Sequence, residues 1–230
     1  MTIVRIEDAG PLRGRQVIER IHRVSQIAAA CLLAAMGAAC GATHPTKYYV
    51  LAAPAAPVPV AQTPVPVRLV VGRITSSHLY RDDRLVYGNG TVQLGTYEYE
   101  RWSEPPVDLI QDMLVATLRN SAQYRAVSRI GSAARGDYTV RGHLDALDEI
   151  DNKPTIAARF TLQLELFDPS SGSVVWSGSY HHDEPVPGKR PSVSDVVQAL
   201  DRNVAAGIQQ LTSGLNQYLA SHVSQPSAGN

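Results

Sequence analysis

Both cysteines of the chain, Cys31 and Cys40, lie within or directly after one apolar run, and this bounds what the rest can fold into. Residues 27 to 39 read Ile-Ala-Ala-Ala-Cys-Leu-Leu-Ala-Ala-Met-Gly-Ala-Ala and stop at Cys40. Arg13, Arg15, Arg20 and Arg23 precede the run, so the order is basic flank, short apolar core, small residues, cysteine. That order is a secretory signal with a lipidation site. The run falls short of the roughly 20 apolar residues that a membrane-spanning helix needs. Cleavage before Cys40 is expected to leave diacylglycerol on its thiol and an N-acyl chain, of the palmitate kind, on its amine. Gly37 stands where such signals usually carry Leu; the alternative is a cut after Gly37-Ala38-Ala39 that leaves a soluble periplasmic protein. Cys31, after Ala28-Ala29-Ala30, competes less well, because Leu32 to Ala39 would remain as an apolar tail. Glu7, Asp8 and Glu19 are unusual in a signal and point to a true translation start near Val17 or Val24.

If Cys40 is lipidated, the mature chain has no second cysteine and no disulfide can form. The fold must then hold through its core, although the envelope is oxidising. Paired-cysteine zinc or redox motifs are excluded for the same reason. A net charge of zero, without Lys/Arg blocks, argues against nucleic acid or an anionic lipid surface as the main partner, since each needs a concentrated positive field. The mature length suits one domain of ordinary size.

Lys47 to Leu51 is rich in β-forming residues and reads as a first strand. Residues 52–66 are Pro-rich and read as an extended spacer loop. Val67 to Gly72 is a strand, and Leu85-Val86-Tyr87 with Thr91 to Leu94 flank Gly88-Asn89-Gly90 as a hairpin. After Pro105-Pro106, Val107, Ile110, Met113, Leu114, Thr117 and Leu118 recur at helical spacing up to Asn120-Ser121. Tyr124 to Val127 is a short strand. Three longer strands follow at 138–146, 156–166 and 174–180, alternating apolar and polar, and read as an antiparallel meander with one buried face. Ser192 and Asp195 form a capping-box-like start to a helix whose stripe runs from Val193 and Val197 through Ile208 to Leu215 and Tyr218. Within it, Gly207 and Gly214 weaken the helix and imply close approach to another backbone. The expected fold is α+β: a mainly antiparallel sheet with two principal helices packed on one face, in a single domain after the signal peptide.

Candidate chemistry is sparse. His181-His182-Asp183-Glu184 has four liganding side chains in a row, but extended chain sends neighbours to opposite faces, so no metal site is expected. Glu98, Glu100 and Glu104 could be imagined as a glycosidase pair, yet solvated positions are the simpler reading. No nucleophile elbow, phosphate loop or zinc spacing is present, so no catalytic residue is assigned and no cofactor is expected beyond the acyl chains. The segment Tyr97 to Pro106 interleaves aromatics with charge, and Tyr, Trp and Arg dominate binding hot spots. Either this segment is part of a docking face, or Trp102 is a core anchor and Arg101 is paired with a carboxylate.

These segments carry a family resemblance. Cys40, Tyr48-Tyr49-Val50-Leu51, His78 to Tyr87, Tyr99-Glu100-Arg101-Trp102-Ser103-Glu104-Pro105-Pro106 and Val174-Val175-Trp176 before a long helix resemble the ABC-type transport auxiliary lipoproteins, the PqiC-like group. The resemblance covers nearly all of the mature chain, with Gly37 and the Pro-rich insert as departures. It implies a signal peptide over 1–39, a lipidated tether over 40–46, the auxiliary lipoprotein domain over 47–221 with the loop 52–66, and a disordered tail over 222–230. It further implies an outer-membrane lipoprotein facing the periplasm that accompanies an MCE-domain protein with its permease and ATPase in intermembrane lipid transport and supports envelope integrity. Gly41, in place of the Asp that retains some lipoproteins at the inner membrane, is compatible with outer-membrane sorting; an inner-membrane or soluble periplasmic location is the alternative. Docking onto a symmetric transporter would make a homo-oligomeric ring reasonable. Tyr80, Arg81, Asp82, Tyr99, Arg101 and Trp102 are the candidate partner-binding residues. Two other readings stay open: a regulator or structural part of another envelope machine, such as peptidoglycan synthase activation or secretion, and a lipoprotein that itself carries lipid. Intact-mass measurement and fractionation of wild type beside Cys40→Ala should give a diacyl or triacyl mass increment and membrane association that the variant loses; an unmodified soluble wild type would remove the anchor.

Overall fold

The computed structural model describes residues 44–52, 65–89, 92–132 and 135–223, together with Ser25. The chain divides into two units, Met1–His44 and Pro45–Asn230. The signal peptide, Cys40, most of the tether, residues 53–64 of the Pro-rich loop and residues 224–230 of the tail lie outside the described residues. The second unit runs β1 (Lys47–Tyr49), β2 (Val65–Ser76), a 3-10 turn (His78–Tyr80), β3 (Arg84–Gly88), β4 (Leu94–Trp102), α1 (Pro106–Asn120), β5 (Tyr124–Arg129), β6 (Tyr138–Asn152), β7 (Thr155–Asp168), β8 (Ser173–Pro185) and α2 (Val193–Val223). β2 begins at Val65, inside the segment read as loop, and takes Pro66 with it.

Alternation in β7 sets the core. Ala158, Phe160, Leu162, Leu164 and Leu166 are fully buried, while Gln163 and Glu165 between them are exposed, as a strand with one covered face requires. α2 lies over β7 and β8, α1 lies over β2 and β5, and the two helices touch. Burial of Val197, Leu200, Val204, Ile208, Leu211, Leu215 and Leu219 along α2 contributes about 1.5–3 kcal/mol per side chain at full burial. Among the described residues of this unit, no helix lies on the opposite face of the sheet. Thr75, His143, Gln163 and Ser179 stand in register across β2, β6, β7 and β8 and are exposed there.

The expected meander is present: β6 pairs antiparallel with β7, and β7 with β8. β3 and β4 form the expected hairpin, but its second arm begins at Leu94, where the expected arm ended, and runs to Trp102. The architecture is α+β, with its longest ladders antiparallel. Periodicity had no means of revealing the parallel pairings, which join β1 to β4, β2 to β5, and both β2 and β3 to β6. One edge of β6 serves two strands: β2 from Tyr138 to Leu144, and β3 from Asp148 to Ile150. A register shift between Leu144 and Ala146 separates the two halves. The sheet therefore forks into a β2–β5 arm and a β3–β4–β1 lobe.

Polar pins hold the helices to the sheet. Asn203 of α2, almost fully buried, donates from Nδ2 to the carbonyls of Ala158 and His182 at 2.9 Å each and accepts from the Tyr180 hydroxyl at 2.8 Å. Tyr124 of β5 donates to Asn216 of α2. Gln111 of α1 donates to the Gly72 carbonyl at 2.6 Å. At the start of α2 the Ser192 amide donates to the Asp195 carboxylate at 2.8 Å and the Asp195 amide donates back to the Ser192 hydroxyl at 3.3 Å, the reciprocal cap that the sequence suggested.

The α2 glycines differ in what surrounds them. A Cβ at Gly207 would lie 2.6 Å from the Tyr180 ring and 2.7 Å from the Phe160 ring, whereas one at Gly214 meets nothing closer than Trp176 at 3.4 Å. Gly207→Ala should therefore lower stability by about 1–3 kcal/mol through overpacking, despite a better helix propensity. Gly214→Ala should be neutral or raise stability by up to about 1 kcal/mol. Denaturant unfolding of both variants checks the opposite signs.

Candidate docking surface

The turn between β2 and β3 is built on one buried contact. Tyr80 is 3% exposed, and its hydroxyl donates to Asp148 of β6 at 3.3 Å. This pins the 3-10 turn beneath β3 and leaves Arg81 and Asp82 outside. Arg81 donates to the Ser76 carbonyl from Nε and Nη2 at 3.3 and 3.2 Å. The Asp82 carboxylate accepts the Asp83 amide at 2.7 Å. Arg101 of β4 meets the Asp83 carboxylate at 2.5 Å, and the Trp102 amide donates to the Asp83 carbonyl at 2.6 Å, so the turn is tied to the end of β4.

Two candidate residues do not belong to a surface. Tyr80 is a core side chain, and Trp102 is 1% exposed with an indole N–H that finds no acceptor among the described residues. Burial of a ring this large outweighs one unmade hydrogen bond. Trp102 is the core anchor of the two readings, and Arg101, half-buried, is the carboxylate-paired arginine. Arg81, Asp82 and Tyr99 are exposed.

The lobe β3–β4–β1 carries surface that sequence reading did not single out. Among the described residues, eight large hydrophobic side chains are exposed, and six belong to this lobe or its hairpin: Tyr48 at 65%, Val50 at 66%, Tyr87, Val92, Leu94 and Tyr99. Lone exposed hydrophobics are ordinary, but their concentration on one lobe is the mark of an interaction surface. Tyr48 sits opposite Arg101 in the β1–β4 ladder. The lobe is held rigidly from behind. The Tyr49 hydroxyl donates to Glu100 at 2.7 Å and lies 3.3 Å from the Ser194 hydroxyl of α2, Lys47 meets Glu100 at 3.0 Å, and the Ala52 amide donates to Asp201 of α2 at 2.7 Å. Glu100 is thus occupied as a structural acceptor between Tyr49 and Lys47. The rings of Tyr87 and Tyr97 lie 4.8 Å apart, and Tyr97 donates to Glu149 at 2.8 Å.

His181 to Glu184 belongs to β8 itself, and its side chains are spoken for. His181 pairs with the Thr161 hydroxyl at 2.7 Å, Asp183 binds Arg159 at 3.0 Å, and Glu184 meets His182 and Arg202 at 3.4 and 3.5 Å. Among the described residues no group of three or more His, Cys, Asp or Glu is placed to hold a metal, and no helix is long and apolar enough to cross a membrane.

The electrostatics around the pinned turn are governed by burial. Asp148 is 2% exposed, and loss of water pushes its carboxyl up to about 6 against the pull of Arg159 and the Tyr80 hydroxyl. Burial raises Glu149 in the same way. A carboxyl raised on folding gives its full stabilisation below its unfolded value near 4, and loses it as pH rises through about 6, a difference of about 3 kcal/mol. Asp148→Asn should flatten the stability profile between pH 4 and 7 and raise stability at neutral pH. Unfolding midpoints across that range check this; a variant profile parallel to wild type would refute the assignment.

The family model for the ABC-type transport auxiliary lipoprotein component matches residues 49–212. A structure of a Xanthomonas campestris protein of the DUF330 family is similar with a TM-score of 0.65 at 19% identity, covering 75% of this chain and 99% of that one. A second solved structure, of an uncharacterized protein, is similar with a TM-score of 0.56 at 15% identity, covering 76% of this chain and 99% of that one. At these identities the likeness is one of fold. A search of curated protein sequences finds no match. Matched from β1 to the middle of α2, the chain belongs to the family of ABC-type transport auxiliary lipoprotein components.

Proposed function

We propose that the chain is a non-catalytic, periplasm-facing subunit of an ABC/MCE-type system that moves lipids between membranes, held to the outer membrane by acyl chains on Cys40. The family membership supports the transport association. The observation that carries the docking role is the concentration of exposed Tyr48, Val50, Tyr87, Val92, Leu94 and Tyr99 on one lobe, braced by α2 through Tyr49 and Ala52. Aromatic side chains on a rigid support bind a partner with little loss of conformational entropy. Arg101, paired to Asp83 beside Tyr48, and the exposed Arg81 and Asp82 supply polar contacts at the margin. Lys47 follows Cys40 by seven residues, so the tether reaches at most about 24 Å and keeps the lobe near the leaflet. Three acyl chains at about 0.8 kcal/mol per buried methylene make release negligible.

Affinity purification of the detergent-solubilised lipoprotein should recover an MCE-domain protein. The double variant Tyr48→Asp, Tyr99→Asp should lower that recovery at least tenfold while keeping the wild-type unfolding midpoint, since both side chains are exposed. Unchanged recovery from the folded variant would move the docking face elsewhere, and recovery of a peptidoglycan synthase or secretion component instead would favour another envelope machine.

A further inference from the structure

The second notable surface lies away from the lobe, where two cavities meet along the end of β2. One, of about 750 Å³, opens between β2, the 3-10 turn and the first turns of α1, with Arg81, Val107, Gln111 and Arg129 in its wall. The other, of about 500 Å³, lies over the sheet face opposite α1 and α2, with Arg141, His143, Gln163 and Phe167 in its wall. Arg73, Thr75 and Ile130 line both, so the two form one trough. Each volume is within the range of small-molecule sites.

Four arginines face this trough against the carboxylates of Asp108 and Glu165. Two arginines are already positioned by the protein and keep further N–H donors. Arg129 is held by Asp112 at 2.7 Å and Gln111 at 3.1 Å, and Arg81 by the Ser76 carbonyl. The other two have no polar partner among the described residues. Arg141 lies with its guanidinium 3.8 Å from the centroid of the Phe167 ring, which orients it and leaves its in-plane donors open. Neither Arg73 nor Arg141 makes a hydrogen bond or ion pair among the described residues. The two sit on neighbouring strands, inside the irregular stretch of the β2–β6 ladder between Val71 and Ile74. Such a bulge re-aims a side chain that a regular strand would send elsewhere.

We propose that this trough binds a phosphate ester carrying an apolar substituent. Guanidinium forks on adjacent strands match the oxygens of a phosphate, and each can donate in a bidentate manner. Ile130, which is 51% exposed, together with Val107, Ile74 and Phe167, provides the apolar floor against which the substituent lies. Glu165, directly across the β6–β7 ladder from Arg141, and Asp108 of α1 disfavour a highly charged polyanion and suit a ligand of one or two charges. A lipid headgroup and a small soluble phosphate ester share this chemistry. The site stands on the trough alone and does not depend on the docking lobe.

The test is titration calorimetry of the full-length protein in dodecyl maltoside with inorganic phosphate, phenyl phosphate and dihexanoyl phosphatidylglycerol, beside the double variant Arg73→Ala, Arg141→Ala and the remote control Arg202→Ala. Saturable binding of an ester that the double variant weakens at least tenfold and the control leaves unchanged is the expected result. Tighter binding of the dihexanoyl lipid than of phenyl phosphate would identify a headgroup site, and equal or tighter binding of phenyl phosphate a soluble ester. No saturable binding of any ester, inorganic phosphate bound as tightly as the esters, or binding that the folded double variant retains in full would each overturn the proposal.

Discussion

The molecule depends on β6 being bonded along both edges. One edge runs antiparallel to β7 for nearly its whole length, and the other is divided between β2 and β3 on either side of a register shift. A buried strand cannot leave amide and carbonyl groups unpaired, so the length of β6 demands two partners where one of ordinary length would not reach. That demand creates the fork. The β2–β5 arm carries α1 and the trough; the β3–β4–β1 lobe carries the exposed tyrosines. Buried Asp148 and Glu149 stand at the base of the lobe, where Tyr80 and Tyr97 fasten the 3-10 turn and β4 to β6.

The helices follow the same division. α2 covers the meander and, through Asn203, meets carbonyls of two strands at once, so its axial position is set by hydrogen bonds as well as by apolar packing. Its first turns brace the lobe through Ser194 and Asp201. α1 is pinned by Gln111 to β2 and, through Arg129, to β5. Both candidate surfaces therefore stand on rigid supports, which is what keeps the entropy cost of binding low.

Legibility from the sequence divided along the same physical line. Alternation from Ile156 to Leu166 and the three-and-four spacing from Val193 to Tyr218 reveal their elements because burial of one face leaves a period in the residues themselves. The capping box at Ser192 was readable for a similar reason, as a local backbone requirement met by a particular residue type, whereas the backbone approach expected at Gly207 and Gly214 is instead an approach of the Tyr180 and Phe160 rings to Gly207 alone. Tyr80 and Trp102 were misplaced because an aromatic residue serves a core and a docking surface equally well, and only the neighbours decide which. Tyr48 and Arg73 were missed because nothing local distinguishes an edge-strand tyrosine or an unpaired arginine from their paired counterparts.

The sequence by itself determined the signal-like segment ending at Cys40, the order of strands and helices, the meander, and the absence of recognised catalytic motifs, since each is written in residue type and short spacing. The tertiary structure alone decided that β2 and β3 share one edge of β6, that β1 closes the lobe parallel to β4, and that Arg73, Arg81, Arg129 and Arg141 converge on one trough. Parallel pairing joins segments far apart in the chain, and its hydrogen bonds are made by backbone groups common to all residues, so it leaves no period to read.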